Sequence, residues 1–258
     1  MSTPIRLTDA VLVVVDISGY TSFVQKRTVS LEHAEAIVSE LIESIIDHAD
    51  HPLVVNKLEG DAALLYAETR GAREAAAASA IRQVSGFFTG FATSLQRIGA
   101  ERRHCDCDAC ANIGSLKLKA FLHIGEIVIK RVRTFEEIAG DPVILVHRMT
   151  KNALPLREYA LMTDAFCAAG GRDIEDLRPI REHFDGAEVT LHWCDVDAIG
   201  RRAAQLPVAT SPAPAPVPDF ERSRAFAHLP RADAAWANAG PIAALRQLLS
   251  RWRGRCRL

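Results

Sequence analysis

No stretch of this 258-residue chain approaches the roughly eighteen consecutive apolar residues that a membrane-crossing helix needs. The run VLVVV at 11–15 stops at Asp16, and the first residues, MSTPIRLTDA, hold no basic region leading into a long apolar core. An export signal and a transmembrane segment are therefore not expected, and the cytoplasm is the expected compartment. There is no excess of charge either: 31 Lys and Arg stand against 32 Asp and Glu. General nucleic-acid affinity needs a basic surface, so nucleic acid is not an expected partner. Three catalytic signatures are also missing: a Gly-x-Ser-x-Gly elbow, a His-Glu-x-x-His helix and a Walker-type lysine loop. Six cysteines without an export signal read as thiols or metal ligands rather than a disulfide framework.

What is present is an ordinary globular composition, 48 % hydrophobic and 24 % charged, in a chain long enough for one large domain with an appendage. AVLVVVD (10–16) predicts a buried strand ending in an acid. Leu31, Ala34, Ile37, Val38, Leu41, Ile45 and Ala49 recur at helical spacing. LVVNK (53–57) and AALLYA (62–67) flank Glu59-Gly60-Asp61 and predict a hairpin. An Ala-rich helix is expected over 72–95, then two strands, LKLKAFLHI (116–124) and EIVIKRV (126–132), hinged at Gly125. Pro142 suits the first position of a helix reaching about residue 152, and strands follow at 159–163 and 188–196. The order β-α-β-β-α-β-β-α-β predicts an α+β domain over 8–200, with a mainly antiparallel sheet and helices on one face. Five prolines between 207 and 218 mark a linker over 206–219. The tail at 220–258 carries Arg246, Arg251, Arg253, Arg255 and Arg257, and reads either as a solvated terminus or as a docking element for an anionic surface.

Two constellations carry chemistry. Asp16 and Asp61 stand at the ends of neighbouring strands, a way to hold Mg²⁺, which takes few protein oxygens and shares the rest with phosphates. After Asp16 the turn Ile17-Ser18-Gly19-Tyr20-Thr21-Ser22 offers backbone N–H groups and the Thr21 and Ser22 hydroxyls, a seat for phosphate at a helix start. Each aspartate taken singly also fits a turn former or cap. The second constellation is His104-Cys105-Asp106-Cys107-Asp108-Ala109-Cys110. Cys105, Cys107 and Cys110 suit a soft metal. Structural zinc wants four N or S ligands, so His104, a distant cysteine or a second subunit would complete the set. A redox-active thiol cluster and inert loop cysteines remain open beside zinc. Cys167, Cys194 and Cys256 are isolated and read as buried or incidental thiols, and His123 as a packed strand histidine.

VVVDISGYTSFV resembles the opening motif of class III nucleotidyl cyclases, and VVNKLEGDAALLY resembles their Lys-x-x-Gly-Asp hairpin. FLHIGEIVI is similar to their Ile-His-x-Gly-Glu strand pair, and GDPVILVHRM to their Gly-x-x-Val-Asn-x-Ala-x-Arg helix. The four motifs keep the family's order over about residues 10–165. The CDCDAC loop, ILVHRMTKNA and YALMTDA look more narrowly like a bacterial branch of that superfamily, a domain of unknown function, over most of 8–196.

This resemblance implies a ferredoxin-like core and conversion of a nucleoside triphosphate to a 3′,5′-cyclic nucleotide and pyrophosphate. It implies that Asp16 and Asp61, helped by the Ile17 carbonyl, hold two Mg²⁺ or Mn²⁺ ions. Lys57 matches the lysine that reads adenine, Glu137 the acid that accepts from the adenine amino group, and Arg148 the arginine that stabilises charge on the α-phosphate. These matches favour ATP over GTP. With one copy of each motif, a homodimer is implied, since the family's sites form between two domains. One position departs: Ile144 stands where the family's ribose-orienting asparagine belongs, and the VILV segment reads as a helix face packed in the core. A non-catalytic nucleotide-binding module on the same fold, a cyclase with another base preference, and a zinc-dependent scaffold stay open as alternatives.

Overall fold

A computed structural model describes residues 5–24 and 30–207. The expected linker from residue 208 onward and the tail at 220–258, with Cys256, lie outside the described residues.

The central strand β1 (Ile5–Ser18) is longer than its apolar run because it pairs along its length with β4 (Lys117–Val132) and over its second half with β3 (Ala62–Glu68). Val11, Val13 and Val15 point into one core while Ala10, Leu12 and Val14 point into another. An unbroken apolar run is what a strand covered on both sides requires. The first core is closed by α2 (Leu31–Ile46) and α3 (Arg73–Glu101), through Ile37, Leu41, Ile81 and Phe87 among others. The second is closed by α5 (Asp141–Met149), through Val143, Val146 and Met149. Helices therefore cover both faces, not the single face expected, because α5 returns across the sheet instead of staying with α2 and α3.

The hairpin of β2 (Val54–Glu59) and β3 forms as expected, with Glu59 opposite Ala62 and the turn at Gly60-Asp61. Gly60 has φ +67°, a left-handed conformation that glycine adopts without the Cβ penalty. The eight-stranded sheet has the order β2-β3-β1-β4-β6-β8-β7, with β5 (Phe135–Ala139) attached to β4. All its pairings are antiparallel except β4 with β6 (Tyr159–Thr163). The sheet is thus mostly antiparallel, in an α+β layout. The edge strand β7 (Arg178–Phe184) pairs with β8 (Ala187–Cys194). Its sequence RPIREHF is largely exposed and carries a proline that only an edge strand tolerates, so no apolar period announces it. A short helix, α6 (Asp164–Phe166), follows β6, and α7 (Val196–Gln205) closes the described fold, with Asp195 capping it by accepting from the Ala198 N–H at 2.7 Å.

One expectation is corrected at Gly125. The chain does not hinge there; β4 runs through it unbroken. Glycine is needed because α5 sits down on this strand, and a Cβ at 125 would lie 2.7 Å from Pro142 Cγ and 3.1 Å from His123 Nε2. Gly125→Ala is expected to lower the unfolding free energy by about 1–3 kcal/mol as α5 shifts outward. Urea denaturation checks this, and an unchanged midpoint would show that the close approach is dispensable.

Candidate functional site

Asp16 occupies the end of β1 on the α5 face, in register between Ala62 of β3 and Lys119 of β4. The Ile17 N–H donates to the Asp61 carbonyl at 3.0 Å, which ties the β2–β3 turn to the end of β1. That bond and the pairing of Asp16 with Ala62 bring the two aspartates together. Burial, and then the nearby charge of Asp61, push the Asp16 carboxyl up to about 6, against the opposing pull of Lys119 and Lys151. Asp61 is raised as well, chiefly by burial, with its own backbone N–H and Lys151 acting against the shift. Two half-buried carboxylates whose pKa values stay raised despite the nearby lysines form an oxygen-rich pair that a divalent cation would stabilise.

Past Ser18, Gly19 turns the chain with φ +95° into α1 (Tyr20–Val24), a single helical turn anchored by buried Phe23. A Cβ at Gly19 would come within 2.2 Å of an Arg157 guanidinium nitrogen, which that long side chain can move away, so it is the positive φ that requires the glycine. That guanidinium donates to the Ser115 carbonyl at 2.7 Å. Thr21 and Ser22 lie exposed on this turn.

Lys57 lies on β2 with its ammonium 2.9 Å from Glu59. Glu59 in turn approaches His147 Nδ1 of α5 at 3.3 Å, so a Lys57–Glu59–His147 group bridges the hairpin to the helix. Sequence reasoning missed Glu59 and His147; their only signal is that each lies within a recognised motif. Glu137 stands opposite Lys130 on the β4–β5 ladder. Its neighbour Glu136 is the β5 acid that reaches the hairpin. Its carboxylate accepts from the Tyr66 hydroxyl at 2.5 Å and its carbonyl from Asn56 Nδ2 at 3.3 Å. Strand alternation sends successive side chains to opposite faces, and a one-residue offset decides which acid arrives.

Arg148, at the C-terminal end of α5, forms an ion pair with Asp185 in the β7–β8 turn. Ile144 lies one helical turn earlier and is 51 % exposed. It is not packed in the core as expected, because Val143, Val146 and Met149 form the buried stripe of α5 and leave Ile144 outside it. His123 behaves as a structural residue: it is buried, its Nδ1 lies 2.8 Å from Thr163 Oγ1, and burial pushes its pKa down to about 4. Cys167 and Cys194 are buried thiols, each pushed up to about 12 chiefly by that burial.

The cysteine loop forms a second cluster. Cys105, Cys107 and Cys110 gather around His33 of α2, with the four donor atoms within 4.8 Å of one another. His104 does not join them; its Nε2 accepts from Arg103 Nε at 3.0 Å. The residue that replaces it lies some seventy positions away, so no local spacing could have shown it.

Comparison with known proteins places these features in context. A profile of the family described as "Protein of unknown function (DUF2652)" matches residues 38–159. The protein Rv2561/Rv2562 of Mycobacterium tuberculosis is 33 % identical over 184 residues, covering 70 % of this chain and 78 % of that protein. The adenylyl cyclase CyaB of P. aeruginosa superposes with a TM-score of 0.60 at 14 % identity, over 74 % of this chain and 95 % of the cyclase. The guanylyl cyclase Cya2 superposes with a TM-score of 0.56 at 15 % identity, over 74 % and 93 % of the two chains. Among the described residues no helix is long and apolar enough to cross a membrane. The mostly antiparallel sheet is thus that of class III cyclase catalytic domains, and by its match to the family profile and to the mycobacterial relative the chain belongs to the DUF2652 family.

Proposed function

We propose that the protein cyclises a nucleoside triphosphate, ATP in preference to GTP, to a 3′,5′-cyclic nucleotide and pyrophosphate. The observation that carries this reading is the Asp16–Asp61 pair, held together on a cyclase fold by the Ile17-to-Asp61 backbone bond. Asp16, Asp61 and the Ile17 carbonyl would hold two Mg²⁺ or Mn²⁺ ions. When bound, such ions lower the pKa of the ribose 3′-hydroxyl and anchor the triphosphate.

The chain's own groups do the rest. Thr21 and Ser22, exposed beside the aspartates, donate to phosphate oxygens. Lys57, which needs only to leave Glu59, presents a cation to an acceptor of the base. β5 sends Glu136 rather than Glu137 toward the hairpin, so Glu137 would serve the base amino group only after β5 readjusts. Arg148 already holds a carboxylate, Asp185, and a guanidinium that pairs with a carboxylate pairs equally with an α-phosphate. Each motif occurs once, so the working unit is a homodimer in which one copy supplies the aspartates and the other Arg148. The apolar side chains of Leu58, Phe135 and Ile144, which are 44 %, 69 % and 51 % exposed, would be covered by that second copy.

The test is mass-spectrometric product analysis with Mn²⁺ or Mg²⁺ and each of ATP, GTP, CTP and UTP, beside Asp61→Ala. Cyclic AMP should form, and the variant should lose about 10²–10³-fold of the rate, the scale for removing one electrostatic element of an active site. The same assay decides a second reading, a nucleotide-binding module without turnover, which the exposed, apolar Ile144 favours at a position where ribose needs a polar partner. Nucleotide binding without any cyclic product would establish that reading and overturn the first.

A further inference from the structure

We propose that His33, Cys105, Cys107 and Cys110 form a structural zinc site that fastens the start of α2 to the loop leading into β4. The distances carry the assignment. His33 Nδ1 lies 3.4 Å from Cys105 Sγ, 3.4 Å from Cys107 Sγ and 3.5 Å from Cys110 Sγ. A tetrahedral zinc ion with Zn–S near 2.3 Å and Zn–N near 2.0–2.1 Å has S···N edges of about 3.5 Å. Hydrogen bonding does not account for three sulfurs around one nitrogen, because an imidazole Nδ1 offers a single proton or a single lone pair. Four converging donors around a common centre do account for it.

The donor set selects the ion. Three thiolates and an imidazole suit zinc and disfavour Mg²⁺ or Ca²⁺, which take oxygen ligands. Four protein ligands leave no open position for substrate or water, the mark of a structural site rather than a catalytic one. The local backbone presents the ligands on short tethers. Ser30 caps α2 by accepting from the His33 N–H at 3.3 Å, which sets His33 in the first turn. Cys107 caps α4 (Asp108–Ala111), so Cys107 and Cys110 face the same way across one helical turn. Nearby, Glu40 of α2 pairs with Arg97 and Arg102 at the end of α3, which ties the two helices together just before the loop.

Cys107 and Cys110 pack against the core on the α2–α3 side, whereas Asp16 lies on the α5 side. The zinc ligands thus share no residue with the proposed nucleotide site, and the assignment stands or falls without it.

The experiment is metal analysis and zinc K-edge X-ray absorption on the full chain. The protein is purified untagged under reducing conditions, beside His33→Ala and His104→Ala. About one zinc per chain is expected, with three sulfurs at about 2.3 Å, one nitrogen at about 2.0–2.1 Å and imidazole outer-shell scattering. His33→Ala should lose the imidazole scattering and weaken zinc affinity by more than about tenfold, while His104→Ala leaves both unchanged. Three results would each overturn the proposal. One is zinc far below stoichiometry even after the reduced thiols are offered the metal. The others are a shell other than three sulfurs and one nitrogen, and loss of the imidazole signal in His104→Ala. If His33→Ala does not fold, the zinc content and shell of the unsubstituted chain and of His104→Ala still confirm or overturn the site.

Discussion

Asp16→Asn is expected to make the fold more stable at pH 8, by an amount approaching about 2–3 kcal/mol, while removing the response of the protein to divalent cations. The carboxyl of Asp16 sits near 6 in the folded chain, raised by burial first and by Asp61 second, against an ordinary value of 3.8. The folded state thus holds the Asp16 proton more tightly than the unfolded state does. The contribution of this group to stability is fully present below about pH 4, is lost as pH rises through about 6, and is absent above that. A difference of about two pKa units at roughly 1.4 kcal/mol each sets the scale. Asparagine keeps the shape without the charge, so the gain should be full at pH 8, about halved at pH 5 and small near pH 4. Urea unfolding at the three pH values reads it directly. In the unsubstituted chain, Mg²⁺ or Mn²⁺ should recover stability at pH 8 by binding the folded state alone, and Asp16→Asn should show no such shift. Equal stabilities at every pH would mean that the Asp16–Asp61 pair is not electrostatically loaded.

Ile144→Asn is expected to raise cyclic-nucleotide formation by about 10²-fold under the proposed function. One well-placed polar group in an active site is worth on the order of 10²–10³ in rate, and isoleucine supplies none. The substitution tests this cleanly because Ile144 lies outside the buried stripe of α5. In the single chain the exposed position tolerates asparagine at a cost well under about 1 kcal/mol, and sedimentation of both proteins checks that the dimer persists although Ile144 lies on its proposed surface. Arg148, one turn further along the helix, remains in place to receive phosphate. Steady-state product formation for both proteins, with matched unfolding curves, gives the answer. An unchanged rate in a folded variant would show that position 144 does not limit turnover.

Much of the fold was legible in the sequence where local physics and global packing agree. The apolar run ending at Asp16 is a strand because both its faces are covered, and the β2–β3 hairpin follows from two short apolar strands around Gly60. The helix α2 follows from its 3.6-residue period. Other features were illegible for physical reasons. β7 has a polar edge-strand sequence with little buried surface to pattern it. Gly125 looked like a break because its purpose, clearance for Pro142, lies on another element. Ile144 looked like core because hydropathy counts a side chain without knowing which way its helix faces.

The sequence by itself determined β1, α2, the β2–β3 hairpin, α3 and β6, the aspartates at 16 and 61, and the three loop thiols, since each is a matter of residue type at short spacing. Tertiary structure alone decided that α5 covers the opposite face of the sheet and that Glu136 rather than Glu137 meets Tyr66. It alone brought His33 rather than His104 to the thiols. Each of these depends on where a side chain points after distant segments have packed, and short-range spacing carries no record of that.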